Sequence, residues 1–479
     1  MTFVRSPLAL IGASVLLIVA VGLLGPSAMV PALDGPAWQP PYSLGLRPAG
    51  PFVIAMAAVA LVLGAAGLGA ALRAVRRGRW AGLPLGRWLT LAGCMAAGVL
   101  ALLPPSGSSD HLNYAAYGRI AALGHDPYAT TPAELPQVAG WPEEWRNTPS
   151  VYGPVASAVH LLAGLAGGGS VRLTVFALEV ANAAAFILTA LLIHRLTRGD
   201  ARAALLWAGN PLVLYHLAAG MHVDTFAAFA VVAALAVGVG TAGRRAGTGA
   251  LIGLAMAVKI NAGLVALGPA WALRRAPARL AMVAAVATAT VAGTYALAGP
   301  HSLDQVARAS RSLSHATPWQ LFQAALQGLL GPGGYVIWIQ LASLAVIAAL
   351  AALLLRAMPG EASAAQVAAA VVVAYLFAAP YALPWYDGLA FALVAMIPAA
   401  GALDAFLVAR LAALSLAYLP ARVVDQPPEL AKWLLEVVRK QAAPWILLAV
   451  TVALAVWAWR ARRVAAPVPP PPVSAAPRT

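Results

Sequence analysis

Charged side chains are scarce in this chain. Asp, Glu, Lys and Arg together make up 10% of its 479 residues, whereas hydrophobic residues make up 61%. A typical soluble domain is about a quarter charged and about half apolar, so this composition excludes an ordinary water-facing globular surface. Apolar runs of roughly 18 residues or more recur along the chain, each long enough to cross about 30 Å of hydrocarbon as a helix. We therefore predict an all-α, polytopic transmembrane helical bundle of roughly 12–14 membrane segments.

Cysteine and several catalytic motifs are also missing. The single cysteine, Cys94, lies in an apolar run, which excludes a disulfide framework within one chain. The sequence contains no P-loop, no HExxH zinc motif and no GxSxG nucleophile motif. An enzyme of this kind would have to use an activated donor that is already in the membrane.

The net charge of +15 comes mainly from short basic clusters between apolar runs, such as 73–79, 194–202 and 459–463. Clusters of this kind are typical of cytoplasmic loops that contact anionic headgroups. The charge therefore predicts membrane lipid as a partner and excludes a nucleic-acid partner.

The chain divides into two parts by composition. Residues 1–464 form one integral membrane domain, and an uncleaved helix occupies most of the first 25 residues. Residues 465–479, "AAPVPPPPVSAAPRT", are rich in proline and are predicted to be extended and disordered.

The basic clusters also predict a topology. With 73–79 and 459–463 inside, loop 105–150 lies outside. Counting 152–169 as a full crossing would place 194–202 outside, against the charge rule. We favour a partial insertion at 152–169 and a hairpin at 248–272, which places the polar loops together on the outer face.

The most polar stretch between apolar runs is "SSDHLNYAAYGRIAALGHDPYATTP", residues 108–132. Asp110 stands at its membrane boundary, where a carboxylate can deprotonate an attacking hydroxyl. The alternative is that Asp110 only caps the helix that follows it. Both interpretations stay open at this point.

Further polar residues stand near or within apolar runs. Lys259 in "AMAVKINAG" interrupts an apolar segment, which predicts a helix break or a wet cavity; it is either a phosphate counter-charge or snorkels to the interface. His222 and Asp224 could form a nitrogen–oxygen metal pair or a helix cap, but two ligands are too few to argue for a metal. Arg308 and Arg311 share a face if helical and would suit phosphate oxygens, unless their loop lies inside.

These stretches occur in a recognisable order: "SSDHLNYAAYGRIAALGHDPYATTP", "PSVYGPV", "NPLVLYHLAAGMHVD", "GLAMAVKINAGLVALGPA" and "YALPWYDGLA". The set resembles the polyprenol-phosphate-mannose-dependent α-1,6-mannosyltransferases of actinobacterial lipomannan synthesis, within the GT-C class of membrane glycosyltransferases. The resemblance covers roughly residues 100–390. The family often has Asn where this chain has Val223.

The resemblance implies a GT-C bundle with its active site on the extracytoplasmic face of the plasma membrane. It implies that mannose moves from polyprenyl-phosphate-mannose to an α-1,6-mannan or lipoglycan acceptor by an inverting single displacement. Asp110 would be the base, and Lys259, Arg308 and Arg311 would hold the donor phosphate. Sugar or acceptor contacts are expected from Tyr114, Tyr128, Tyr152 and Trp385.

Two alternatives remain open from the sequence. One is a GT-C enzyme that uses another lipid-linked sugar, such as an arabinofuranosyl donor, and the other is a lipid or solute transporter. We see no internal repeat, which counts against transporters built from two related halves. No cofactor is required by this interpretation, and a divalent metal at His222 and Asp224 is left open.

Overall fold

The computed structural model describes residues 6–304, 312–420, 422 and 426–461. Within these ranges the chain is about 70% helical and contains no strand. Arg308, Arg311 and the Pro-rich tail at 465–479 lie outside the described residues, so the expectations for them stay predictions.

The first 298 residues of the chain contain twelve α-helices within the described ranges. They are α1 Pro7–Leu24, α2 Gly50–Arg76, α3 Leu85–Leu100, α4 Asp110–Ala122, α5 Pro154–Gly167, α6 Val171–Leu196, α7 Ala201–Leu206, α8 Pro211–Val213, α9 Asp224–Val237, α10 Ala242–Val258, α11 Leu267–Ala272 and α12 Pro277–Ala298. A π-helical turn spans Leu214–Ala219, and a 3₁₀ segment spans Ile260–Ala266.

The second half continues the helical pattern in the described ranges. Its helices are α13 Trp319–Leu330, α14 Val336–Ala357, α15 Ala364–Ala378, α16 Asp387–Ala395, α17 Leu403–Ala417, α18 Pro428–Trp433 and α19 Ala443–Arg460. A π-helical stretch, Leu434–Ala442, joins α18 to α19, and short 3₁₀ turns span Pro132–Glu134, Pro300–Leu303 and Pro384–Tyr386.

Six helical stretches in the described residues are long and apolar enough to cross a membrane. They are α1, α2, α6, α12, α14 and the continuous run Pro428–Arg460. Shorter apolar helices, including α3, α5, α9 and α15, lie between them. The predicted polytopic helical bundle is confirmed, while the number of crossings stays a prediction because several expected spans are divided into shorter pieces.

Small residues allow the helices around the polar loop to pack closely. A Cβ atom added to Gly118 of α4 would lie 2.0 Å from the carbonyl oxygen of His160 in α5. One added to Gly164 would lie 2.4 Å from the backbone of Gly118. Such contacts are typical of membrane helices, where small residues let backbones approach. They hold α4, and therefore Asp110 at its start, against α5.

Two basic clusters lie at the same end of the bundle. The Arg202 guanidinium donates to both carboxylate oxygens of Asp404, at 2.8 and 2.7 Å. Arg76, from the other cluster, donates to the same carboxylate at 3.2 Å. Because Asp404 is buried, these contacts satisfy a charge that would otherwise be costly inside the protein.

The helix is interrupted at Lys259, as predicted. Helix α10 ends at Val258, and Lys259 has an extended backbone with φ −154° before the 3₁₀ segment begins. The partial segment predicted at 152–169 corresponds to the 14-residue helix α5. Gly153, just before α5, donates its N–H to the Val258 carbonyl at 3.3 Å. The start of α5 therefore contacts the interruption that follows α10.

Candidate active site

Asp110 is the first residue of α4 and does not cap it. The N-cap position belongs to Ser109, and the Asp110 N–H donates to Ser108 Oγ at 3.2 Å. The capping alternative for Asp110 is therefore wrong. Its carboxylate still benefits from the helix N-terminus, where negative charge is stabilised. The side chain is 21% exposed, so a ligand can reach it.

His222 lies beside this carboxylate. His222 Nδ1 is 3.5 Å from Asp110 Oδ2, and the imidazole is buried. The ring stacks on the Trp385 indole, with centroids 3.8 Å apart and an interplanar angle of 9°. Trp385 belongs to the 3₁₀ turn Pro384–Tyr386. Segments far apart in sequence thus meet at Asp110.

Asp224 faces Lys259 instead. The Lys259 Nζ lies 2.6 Å from Asp224 Oδ1 and 3.5 Å from the centroid of the Tyr386 ring. The Asp224 carboxylate and the electron-rich face of the Tyr386 ring both attract a cation at this position. Because Lys259 follows the end of α10 and Asp224 begins α9, both charged groups stand at helix ends rather than within apolar stretches.

His222 and Asp224, for which a metal was left open, therefore face two different partners. His222 is directed to Asp110, whereas Asp224 is directed to Lys259. In the part of the chain that the structure describes, no group of three or more His, Cys, Asp or Glu side chains could hold a metal ion. The donor set that we considered at His222 and Asp224 does not fit a metal.

The two ion contacts, Asp110–His222 and Asp224–Lys259, lie close together. Both Asp110 and Asp224 act electrostatically on the Lys259 ammonium and on Tyr114. Trp385 and Tyr386, which cover His222 and Lys259, are neighbours in one turn. We refer to this cluster of contacting side chains, formed by Asp110, His222, Asp224, Lys259 and the Trp385–Tyr386 turn, as the polar chamber.

Aromatic rings form one wall of the polar chamber. Tyr114 stacks on His160 with centroids 4.9 Å apart and meets Tyr152 edge-on at 4.8 Å. Tyr128 donates its hydroxyl hydrogen to Ser157 Oγ at 2.8 Å. Tyr114 is 2% exposed, so its ring supports the wall, whereas Tyr128, 4% exposed, is held at Ser157 of α5. Sugar contact stays a prediction, best suited to the partly exposed Tyr152 and Trp385.

Sequence inspection missed a second set of charges near Asp110. Arg422 forms a two-point ion pair with Glu143 and donates to the Ser27 carbonyl. Burial raises the pKa of the neighbouring Glu144 carboxyl, and the Asp110 and Glu143 charges add to the rise. The two acids in "WPEEW" were visible in the sequence, but Arg422 is 279 residues from Glu143 and gave no local signal.

Arg439 is another residue that the sequence did not single out. Its guanidinium lies 4.5 Å from the centroid of the Tyr418 ring, which in turn lies 6.4 Å from the Trp385 ring. Arg439 belongs to the π-helical stretch Leu434–Ala442, and short π segments often occur at functional sites. The polar chamber is therefore bordered by cations from the C-terminal part of the chain.

This arrangement brings a general base and a cation for an anionic group close together. Asp110 offers an accessible carboxylate that can accept a proton, and Lys259 offers a cation that can pair with an anionic group.

Comparison with known proteins identifies a family. The sequence profile described as "Alpha-(1->6)-mannopyranosyltransferase, N-terminal domain" matches residues 9–275, more than half of the chain. A relative from Mycolicibacterium smegmatis, named a probable alpha-(1->6)-mannopyranosyltransferase, is 37% identical over 134 residues. That similarity covers 26% of this chain and only 24% of the relative's length. No solved structure matches the chain.

The matched region contains Asp110, His222, Asp224 and Lys259, whereas Trp385 lies beyond it. The polar chamber thus joins the matched region to the C-terminal part of the chain. Together with its confirmed helical membrane architecture, the profile match shows that the chain belongs to the alpha-(1->6)-mannopyranosyltransferase family.

Proposed function

We propose that this protein is a membrane glycosyltransferase that moves mannose from polyprenyl-phosphate-mannose to an α-1,6-mannan or lipoglycan acceptor. The observation that carries the proposal is the placement of the Asp110 carboxylate and the Lys259 ammonium in one polar chamber at helix ends. Membership of the mannopyranosyltransferase family supports mannose as the transferred sugar. The charge pattern of the polar chamber supports a donor with a phosphate leaving group.

In the proposed reaction, an acceptor hydroxyl attacks the anomeric carbon of the donor mannose. Asp110 takes the hydroxyl proton as the new carbon–oxygen bond forms. The bond from the anomeric carbon to the phosphate oxygen breaks, and polyprenyl phosphate leaves with the electron pair. A single displacement inverts the anomeric centre, so a β-linked donor gives an α-linked product.

The leaving phosphate needs positive charge but no proton. Lys259 is the proposed partner, because an ammonium in a partly buried site pairs strongly with a phosphate oxygen. Its contact with Asp224 must loosen or be shared when the phosphate binds. Arg308 and Arg311 remain proposed as further phosphate contacts, three residues apart in the sequence.

We place the polar chamber on the extracytoplasmic face of the plasma membrane. The shared contact of Arg76 and Arg202 with Asp404 puts two basic clusters at one end, as expected for the cytoplasmic side. Helix α3 starts near that end, since Gly86 packs against the Gly199 carbonyl. Its 16 residues rise about 24 Å, close to the thickness of a hydrocarbon core, before Asp110 is reached.

The proposal is tested with purified protein in lipid vesicles, labelled polyprenyl-phosphate-mannose and a short α-1,6-mannoside acceptor. We expect labelled mannose in an α-1,6-extended product. Transfer from a nucleotide-linked mannose in membranes that cannot make the lipid donor would overturn the donor assignment. Transfer of a lipid-linked arabinofuranosyl group in place of mannose would identify a different sugar, and movement of the intact lipid without product would indicate a transporter.

A further inference from the structure

The Nδ1 side of the His222 imidazole faces the Asp110 carboxylate. His222 Nδ1 is buried and has no hydrogen-bond partner within the described residues, yet Asp110 Oδ2 lies 3.5 Å away. From this geometry we infer that His222 is a positioning residue for Asp110. Its Nδ1–H donates to Asp110 Oδ2 during the reaction and leaves Oδ1 to take the acceptor's proton. This role rests on the proposed function.

The position of the His222 ring is strongly constrained. Trp385 covers one face of the ring at 3.8 Å. A Cβ atom added to Gly220 would lie 3.1 and 3.3 Å from the ring atoms Cδ2 and Nε2, so only glycine leaves this space free. The His222 carbonyl accepts from the Thr225 backbone N–H at 3.2 Å and from Thr225 Oγ1 at 3.0 Å. Backbone and ring are therefore both held in place.

Other titratable groups near His222 do not compete for Asp110. His216 is already engaged, because its Nε2 lies 2.7 Å from Ser415 Oγ. Asp224 is paired with Lys259. His111, the neighbour of Asp110 on α4, is fully buried, and neither of its ring nitrogens forms a hydrogen bond to Asp110 within the described residues. Among these groups, Asp110 supplies the carboxylate that faces Nδ1.

The 3.5 Å separation is slightly longer than an N–H···O bond, which spans about 2.7–3.2 Å. Catalytic hydrogen bonds are often long in free enzymes and tighten when substrate binds. A buried nitrogen without a hydrogen-bond partner is destabilising, so forming this bond removes an existing penalty. The contact thus favours one orientation of the Asp110 carboxylate when the acceptor arrives.

The first test compares His222→Phe with wild type in the mannose-transfer assay. Phenylalanine keeps a flat ring against Trp385 but has no N–H donor. We expect kcat to fall roughly tenfold to hundredfold, as when a group that orients a reacting residue is removed, with the donor KM unchanged. His216→Phe is the matched control, because His216 is also a buried histidine near Trp385, at 6.5 Å, but does not face Asp110.

A second pair of variants separates the hydrogen bond from the shape of the side chain. Asparagine can place its amide nitrogen near the position of Nδ1, whereas leucine, which is similar in size, cannot donate. We expect His222→Asn to retain a higher kcat than His222→Leu. Equal kcat values for folded Asn and Leu variants would overturn the positioning role, even if His222→Phe does not fold.

The decisive comparison combines His222→Phe with Asp110→Asn. If His222 acts through Asp110, the double variant has the same residual kcat as Asp110→Asn alone. A loss of kcat in the double variant equal to the product of the two single-variant losses would overturn the positioning role and indicate an independent structural effect. Wild-type protein that transfers no mannose from the lipid donor would instead overturn the proposed function. Wild-type transfer with an unchanged kcat for His222→Phe would overturn the positioning role alone.

Discussion

The Lys259 ammonium lies 2.6 Å from the Asp224 carboxylate, although the two residues are 35 positions apart. Each group therefore compensates the charge of the other where α9 begins and α10 ends. A donor phosphate that binds here must share Lys259 with Asp224. Because the phosphate and Asp224 compete for Lys259, replacing Lys259 and replacing Asp224 should change the donor KM in opposite directions.

Replacing Lys259 with methionine should raise the donor KM at least tenfold while the protein stays folded. Methionine fills a similar volume but removes the cation that pairs with the phosphate, and about 1.4 kcal/mol of lost binding gives a tenfold change. Lys259→Arg is the control and should keep a donor KM closer to wild type. An unchanged donor KM for Lys259→Met would mean that Lys259 only reaches toward the membrane interface.

Asp224→Asn should have the opposite effect on donor binding. The variant removes the carboxylate that competes for Lys259, so the donor KM should fall, and kcat should stay within about tenfold because Asp224 is not the base. The apparent melting temperature should also fall, since Lys259 loses its counter-charge. Steady-state kinetics and melting curves in detergent measure both. Loss of turnover as large as that of Asp110→Asn would contradict this assignment.

The Glu143–Arg422 ion pair should stabilise loop 105–150 against the rest of the bundle. Glu143→Gln leaves the buried Arg422 without its carboxylate, and breaking a buried pair costs about 3–5 kcal/mol. Glu436→Gln is the control, because its pair with Lys440 is well exposed and such pairs contribute less than about 1 kcal/mol. Melting temperatures that fall equally for the two variants would argue against a stabilising role for the Glu143 pair.

The topology predicts that the polar loop is reachable from outside the cell. A cysteine placed at the exposed Gln137, in a protein where Cys94 is replaced by alanine, should react with an impermeant thiol reagent in intact cells. A cysteine at Leu83, an exposed residue between α2 and α3, should react only after permeabilisation. The reverse labelling pattern would place the polar chamber on the cytoplasmic face.

The sequence was sufficient to predict the fold class and several residues of the polar chamber. Long apolar runs require helices because the bilayer offers no other partner for backbone groups. The charge of Lys259 within an apolar segment indicated the helix break, and the polar stretch after α3 indicated Asp110.

The partners of these residues could not be predicted. Whether Asp224 faces Lys259 or forms a pair with His222 depends on how α9, α10 and the Trp385 turn pack, which no local pattern encodes. The same holds for Arg422, whose contact with Glu143 joins segments 279 residues apart in the sequence. Periodicity and charge identify candidate residues, whereas the distances between distant segments determine what each one does.

The most direct test of the account is the turnover of Asp110→Asn. Asparagine keeps the size of the side chain, and Ser109 rather than Asp110 occupies the N-cap position, so the fold and donor binding should persist. Without a group that accepts the hydroxyl proton, kcat should fall by about 10²–10⁴-fold. Donor binding and single-turnover transfer are measured on the same folded sample. Near wild-type transfer by Asp110→Asn would contradict the account and direct the search for the base to Asp126 or Asp224.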